Sequence, residues 1–288
     1  MNLRKAVITA AGAHQRALPL QTFVDRDGVE KTALQIITEE AISAGAEEVC
    51  LIIAPGDKDA YRQAAGRHAS RLHFVEQISP RGYGHALSLA REFTGTEAFL
   101  HLISDHLYIS KTTMRCAHQV VERARAENCA VSAVQATREH MLPFYGTVGA
   151  RRVARQTDLY EIENVIEKPT PSEAEQKLIV PGLRAGYYLC FFGIHVLTPA
   201  VMTMLQESLV HEAPPQGVSL TSVLARLCTQ ERYLALEVQG MRHNLDVKYG
   251  LLLAQLALAL DGADRENVLA SLVELLATRA RGGESSRR

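Results

Sequence analysis

The sequence carries almost no net charge: 31 basic against 32 acidic residues leave −1 over 288 positions. Without a basic excess there is no field to hold a nucleic-acid backbone, although a local site can still take a small polyanion. Cysteine is sparse and unpatterned. The five residues Cys50, Cys116, Cys129, Cys190 and Cys228 are odd in number, show no CxxC spacing, and sit mostly in apolar stretches such as EEVCLII and YYLCFF. They read as reduced, buried thiols in a reducing compartment. Long hydrophobic runs are also missing. The N-terminal MNLRKAVITAAG has too short an apolar run for a secretory signal and leads straight into a glycine turn. The run LLLAQLALAL near the C-terminus is far below a membrane span. A soluble, cytoplasmic protein with no membrane and no nucleic-acid partner is therefore expected. Internal repeats and low-complexity linkers are absent as well.

What is present is ordinary core-forming composition, 47% hydrophobic, in a length that fits one elaborated α/β domain or two smaller ones. Strand and helix patterns alternate from the start. Residues 5–10 (KAVITA), 48–54 (EVCLIIA), 72–77 (LHFVEQ) and 98–104 (AFLHLIS) read as strands. Residues 32–44, stopped by Gly45, then 57–65 and 84–93 read as the helices between them. Apolar strands without alternation, separated by helices, predict a mixed, mainly parallel Rossmann-like sheet with helices on both faces. Ser110 is the expected N-cap of a helix over 111–127. From about 130 the texture changes to strands with longer loops, at 130–136, 146–150, 159–168 and 187–196, and a late strand at 233–238. Helices are expected at 199–209, 219–230, 246–261 and 264–280, with 281–288 a flexible tail.

Five groups of residues carry chemistry. The turn after the first strand, Ala10-Ala11-Gly12-Ala13-His14-Gln15-Arg16, can turn backbone N–H groups toward a phosphate, and Arg16 adds a fixed charge. A single glycine there is equally the mark of a structural turn. Gln77, followed by Gly82-Tyr83-Gly84-His85-Ala86, offers a donor and an acceptor to an imide edge such as uracil, or simply starts a helix. Asp105, in Ser104-Asp105-His106 at a strand's carboxyl end, suits Mg²⁺ or caps a turn. Glu167-Lys168-Pro169, with Tyr145-Gly146 before it and Phe192-Gly193 after it, pairs a hydroxyl-accepting carboxylate with a phosphate-neutralising lysine, or is a surface ion pair. Asp246, in Arg242-His243-Asn244-Leu245-Asp246-Val247-Lys248, is a second magnesium ligand or a helix cap. A dehydrogenase would need GxGxxG after the first strand, and AGAHQR lacks it.

In this order the pieces resemble the bacterial UTP:glucose-1-phosphate uridylyltransferases, within the sugar-1-phosphate nucleotidylyltransferases. That family's KAVIPxAGxGTRxLP is matched by KAVITAAGAHQRALP, and its glutamine before GLGHA by Gln77 before GYGHA. Its aspartate after an apolar strand, YG pair, EKP and VGxYVL are matched by SDH, Tyr145-Gly146, EKP and FGIHVL. GxxQLTD corresponds to the segment from Gly217 to Ser222.

The resemblance covers about 250 residues and implies a nucleotide-diphospho-sugar transferase fold. It divides the chain at about 1–130 for the nucleotide and 131–245 for the sugar, with a helical extension over 246–280. It further implies that Ala11, Gly12, Ala13 and Arg16 hold the nucleotide and that Gln77 and Gly82 read uracil. Asp105 and Asp246 would bind Mg²⁺, Gly146, Glu167 and Gly193 would face glucose, and Lys168 would meet its phosphate. Its partners would be a nucleoside triphosphate and a sugar 1-phosphate. Departures lie around the phosphates. GTR reads His14-Gln15-Arg16, and the family's PKE lysine has only Arg26 and Lys31 as candidates. The second metal aspartate falls on Asn244, with Asp246 two residues later. A non-catalytic sugar-nucleotide-binding regulator is the alternative these departures leave open. The leucine-rich C-terminal helices would form either a homo-oligomer interface or part of the chain's own core.

Overall fold

The computed structural model describes residues 1–211 and 217–284. In chain order, β1 (Lys5–Thr9) leads to a hairpin of β2 (Thr22–Val24) and β3 (Glu30–Thr32), then α1 (Ala33–Ser43), β4 (Glu48–Ile53), α2 (Lys58–Ala65) and β5 (Leu72–Glu76). The short helices α3 (Tyr83–Ser88) and α4 (Arg91–Thr94) precede β6 (Phe99–Ile103), β7 (His106–Ser110) and α5 (Cys116–Glu127). The second half runs β8 (Ala130–Arg138), β9 (Gly146–Arg152), β10 (Leu159–Glu167), α6 (Pro171–Lys177), β11 (Tyr187–Leu197), α7 (Pro199–His211) and α8 (Leu220–Gln230). It closes with β12 (Tyr233–Glu237), β13 (Gly240–Asn244), α9 (Gly250–Asp261) and α10 (Arg265–Glu284).

Nine strands form one sheet in the order β5-β4-β1-β6-β11-β8-β12-β10-β9. The pairs β5–β4, β4–β1 and β1–β6 are parallel, as the apolar runs predict. Beyond β6 the sheet is mixed, because β11 runs antiparallel to both β6 and β8 while β8–β12 is parallel. The two faces have separate cores. Ala6 and Ile8 of β1 join Leu34 and Ile37 of α1 and Val120 and Val121 of α5 on one side. Val7 joins Leu87 of α3, Leu205 of α7 and Leu224 of α8 on the other. This is strand alternation sorting one strand between two layers.

The chain winds outward from β1 to β4 and β5, then crosses back to β6 on the opposite side of β1. The carboxyl ends of β1 and β6 therefore diverge at a topological switch point, where an open α/β sheet leaves a crevice. Helix α1 is held at that end by a capping box. Thr32 Oγ1 accepts from the Gln35 N–H at 3.1 Å, and Gln35 Oε1 accepts from the Thr32 N–H at 3.1 Å.

Several local expectations change. Ser110 ends β7 instead of capping α5, because its hydroxyl donates to the Met114 carbonyl within the intervening turn at 2.6 Å. Residues 240–244 are a strand, β13, and α9 starts at Gly250 behind Tyr249, so Asp246 does not cap that helix. The N–H of Asp246 donates instead to Asn244 Oδ1 at 2.8 Å. Helix α10 continues through Glu284, into the segment expected as a tail, and 285–288 of that tail lie outside the described residues. All five cysteines are free, and all but Cys228 are buried. Among the described residues no helix is long and apolar enough to cross a membrane.

Candidate active site

A cleft of about 730 Å³ opens at the switch point, and its walls come from both halves of the sheet. The β1 turn contributes Ala11, Gly12, Ala13 and Gln15. Gln77 and Gly82 follow from the β5–α3 connection, and Asp105 from the end of β6. Gly146, Glu167, Lys168 and Gly193 form the opposite wall, from the start of β9, the end of β10 and the middle of β11. Eleven of the residues expected from sequence, Asp246 included, thus line one cavity although they are spread over more than two hundred positions of chain.

Arg16 stands apart. Its guanidinium pairs with Asp57 at 3.3 Å, is half exposed and does not line the cleft. The two cationic candidates for the missing lysine also lie elsewhere. Arg26 pairs with Asp261 of α9 at 3.2 Å. Lys31 is buried among Asp25, Asp27 and Glu39 at 2.7, 2.8 and 2.9 Å.

Strand β13 pairs antiparallel with β7, setting Asn244 opposite His106, and the Leu245 N–H donates to the Asp105 carbonyl at 2.8 Å. That pairing carries Asp246 to Asp105. Gln15 then spans the two: its amide donates to Asp105 Oδ2 at 2.8 Å and to Asp246 Oδ2 at 3.1 Å. Sequence reasoning passed over Gln15; its position between Gly12 and Arg16 was the available signal. Burial works against ionisation of Asp105, but the adjacent His106 ring, 2.8 Å from its Oδ1, and Lys168 across the cleft hold its carboxyl below the usual carboxylate range. His106 Nε2 and Thr9 Oγ1 are buried at this end without protein partners among the described residues.

No cluster of three or more His, Cys, Asp or Glu capable of holding a metal occurs among the described residues. Two carboxylates within reach of one amide nitrogen, in a cleft open to ligand, do fit Mg²⁺. That cation takes one or two carboxylates and completes its shell with water and phosphate oxygens.

The facing wall depends on glycine and on one strained residue. Strand β11 bulges between Phe191 and His195, and Gly193 within the bulge has φ +93°. Its carbonyl accepts from the Tyr108 hydroxyl at 2.9 Å. A Cβ at Gly146 would stand 2.9 Å from Phe191 and 3.1 Å from Glu167 Oε2. Glu167 Oε2 accepts from the Thr221 hydroxyl, a second residue sequence reasoning left out of the site. Lys168 has φ +45°, outside the range ordinary residues favour, and its N–H donates to the Tyr145 carbonyl at 3.2 Å.

Gly82, at φ +94°, opens α3, and the Gly84 N–H donates to the Val218 carbonyl at 2.8 Å. The loop before α8 is thereby tied over the glutamine side. His195, which lines the cleft, stacks on His101 with centroids 5.9 Å apart. Burial pushes their pKa values down to about 4 and about 3, so both rings are neutral near pH 7.

No family model matches the chain. It is similar to a UTP–glucose-1-phosphate uridylyltransferase of Streptococcus pneumoniae, with 25% identity over 90% of this chain and 91% of that protein. It is also similar to UTP–glucose-1-phosphate uridylyltransferase 2 of Streptococcus pyogenes serotype M1, at 26% over 90% and 91%. Among solved structures it resembles a UDP-glucose pyrophosphorylase of Acinetobacter baumannii, with TM-score 0.74 and 21% identity over 96% of this chain and all of that one. A UDP-glucose pyrophosphorylase complexed with UDP-glucose superposes with TM-score 0.72 and 21% identity over 89% and 98%. These likenesses establish the nucleotide-diphospho-sugar transferase fold.

Proposed function

We propose that the chain is a nucleotidylyltransferase joining UTP and glucose 1-phosphate, or a related sugar phosphate, into a UDP-sugar with release of pyrophosphate. One observation carries this reading. A single cleft at the switch point combines a glycine turn, a glutamine, two carboxylates and a Glu–Lys pair. The names of the relatives agree with it, as does the solved neighbour that holds UDP-glucose.

A phosphate oxygen of the sugar phosphate attacks the α-phosphorus of UTP. The new P–O bond forms as the bond to the bridging oxygen breaks, and pyrophosphate leaves with that electron pair. No protein nucleophile is required, so the chain contributes positioning and charge neutralisation. In this reading the N–H groups around Ala11, Gly12 and Ala13 meet the phosphates, and Gln77 and Gly82 hold the base. Gly146, Glu167 and Gly193 face the sugar, and Lys168 neutralises its phosphate. Arg16 reaches the triphosphate only by leaving Asp57. Asp105 and Asp246 would hold Mg²⁺, which when bound supplies positive charge to the phosphate oxygens.

The test is pyrophosphate release over a small matrix of triphosphates and sugar phosphates with Mg²⁺. Release is expected with UTP and glucose 1-phosphate. Asp105→Asn is expected to lower it roughly a hundredfold or more, and unchanged release would remove Asp105 from the metal role. A second reading, a regulator that binds a sugar nucleotide without turnover, is favoured by Asn244 and by the engagement of Arg16 with Asp57. Calorimetric binding of UDP-glucose with no turnover across the whole matrix would decide for it.

Free, buried thiols agree with a cytoplasmic protein. The exposed leucines of α9 and α10 agree with a homo-oligomer, a second copy covering them.

A further inference from the structure

The Gln77 side chain is buried, and it is bonded on one side only. Its amide nitrogen lies 3.4 Å from the Gly82 carbonyl oxygen and 2.9 Å from His85 Nδ1. A carbonyl oxygen can only accept, so the group facing Gly82 must be the NH₂ end; turned the other way, two carbonyl oxygens would face each other. With that end fixed, His85 Nδ1 must also accept. This requires the neutral ring with its proton on Nε2. His85 is buried in the first turn of α3, where Gly82 and Gly84 hold the backbone against the Val218 loop. Burial and the nearby Arg81 charge both lower its pKa, which keeps the ring in the accepting form near neutral pH.

Both donor positions of the amide are therefore spent inside the protein. What remains is Gln77 Oε1, to which no side chain or backbone donor of the described residues is bonded, on a residue that lines the cleft.

We infer that His85 is a positioning residue for base selection: with Gly82 it holds the Gln77 amide so that only its carbonyl oxygen faces the nucleotide, and the cleft selects a base that carries a ring N–H at its hydrogen-bonding edge. Uracil and thymine present N3–H to such an acceptor. Cytosine presents a bare N3 at the same place, so two acceptors would oppose each other with water excluded. A site built to bond one polar group discriminates strongly against an analogue lacking it, because its own buried group is left unpaired. This inference rests on the uridylyl-transfer reading, and it sharpens that reading from an imide matched by donor and acceptor to one read by an acceptor alone.

The test measures binding and turnover together in the full-length protein. Wild type is expected to bind UTP in preference to both CTP and N3-methyl-UTP. His85→Ala is expected to shrink the UTP-to-CTP preference roughly tenfold or more, mainly through KM. His85→Asn can still present an oxygen near the Nδ1 position and is expected to restore most of the preference. Nitrogen-15 NMR of wild type should find the His85 ring protonated at Nε2 with Nδ1 bare, a readout that needs no variant to fold. An unchanged UTP-to-CTP preference in a folded His85→Ala protein that still transfers uridylyl groups would overturn the role of His85 alone. A ring protonated at Nδ1, or wild-type binding of N3-methyl-UTP as tight as that of UTP, would overturn the orientation of Gln77. A wild-type protein that binds no nucleoside triphosphate would instead remove the uridylyl-transfer reading, and this inference with it.

Discussion

At the scale of single residues, the cleft is shaped as much by absent side chains as by present ones. Gly193 combines a positive φ with crowding: a Cβ there would lie 2.5 Å from the Ile103 side chain and 2.9 Å from the Tyr108 hydroxyl. Gly193→Ala is expected to lower stability by about 2–3 kcal/mol, measured by urea unfolding, from overpacking and backbone strain together. An unaltered midpoint would mean that Ile103 gives way. Gly146 has ordinary φ, so its alanine variant is predicted to fold normally and to push on Glu167 and Phe191 instead. Initial-rate kinetics should then record a KM for glucose 1-phosphate raised roughly tenfold or more, with that for UTP unchanged. An equal rise for both substrates would contradict the assignment of that wall to the sugar.

At the scale of elements, the β2–β3 hairpin and α1 are joined by charge as well as by apolar packing. Glu39 of α1 accepts from Lys31 at 2.9 Å and from Arg67 at 2.6 Å. Burial opposes its ionisation, but these partners and His68 together hold its carboxyl down to about 2. A carboxyl depressed in the folded state contributes stability that is complete above its unfolded value, near 4.3, and is lost as the pH falls toward 2. Unfolding free energy should therefore fall by up to about 3 kcal/mol from this group over that window. Glu39→Gln should flatten the acid-side slope there, and an identical slope would show that the network does not couple to folding. The C-terminal helices are tied to the same hairpin. Gln255 of α9 donates to the Val24 carbonyl at 3.0 Å and accepts from the Val24 N–H at 2.9 Å, satisfying a strand edge.

At the scale of the whole molecule, α9 and α10 leave Leu252, Leu253, Val273, Leu275 and Leu276 more than half exposed. Scattered single apolar residues on a surface need no explanation, but a run of them on adjoining helices forms a patch that a folded monomer rarely tolerates. Sedimentation of wild type should give at least twice the 31.6 kDa chain mass. Leu252→Glu combined with Leu276→Glu should return it to one chain, with the unfolding midpoint otherwise preserved. A wild-type monomer would mean that these leucines serve no self-association.

Local pattern determined much of this protein. The apolar strands and the glycine stop after α1 were readable because period and turn chemistry depend on near neighbours in the chain, whereas the turn, glutamine, aspartate and Glu–Lys motifs were legible as one site only through their resemblance, in that order, to a known family. The tertiary structure alone decided what those residues face. Asp246 approaches Asp105 only because β13 pairs with β7, and Lys31 is drawn into a carboxylate cluster away from the cleft. Arg16 turns to Asp57, and the Gln77 amide is oriented by His85. Each of these depends on contacts between segments brought together by folding, where hydrogen-bond direction and charge pairing are set by geometry that no local pattern carries.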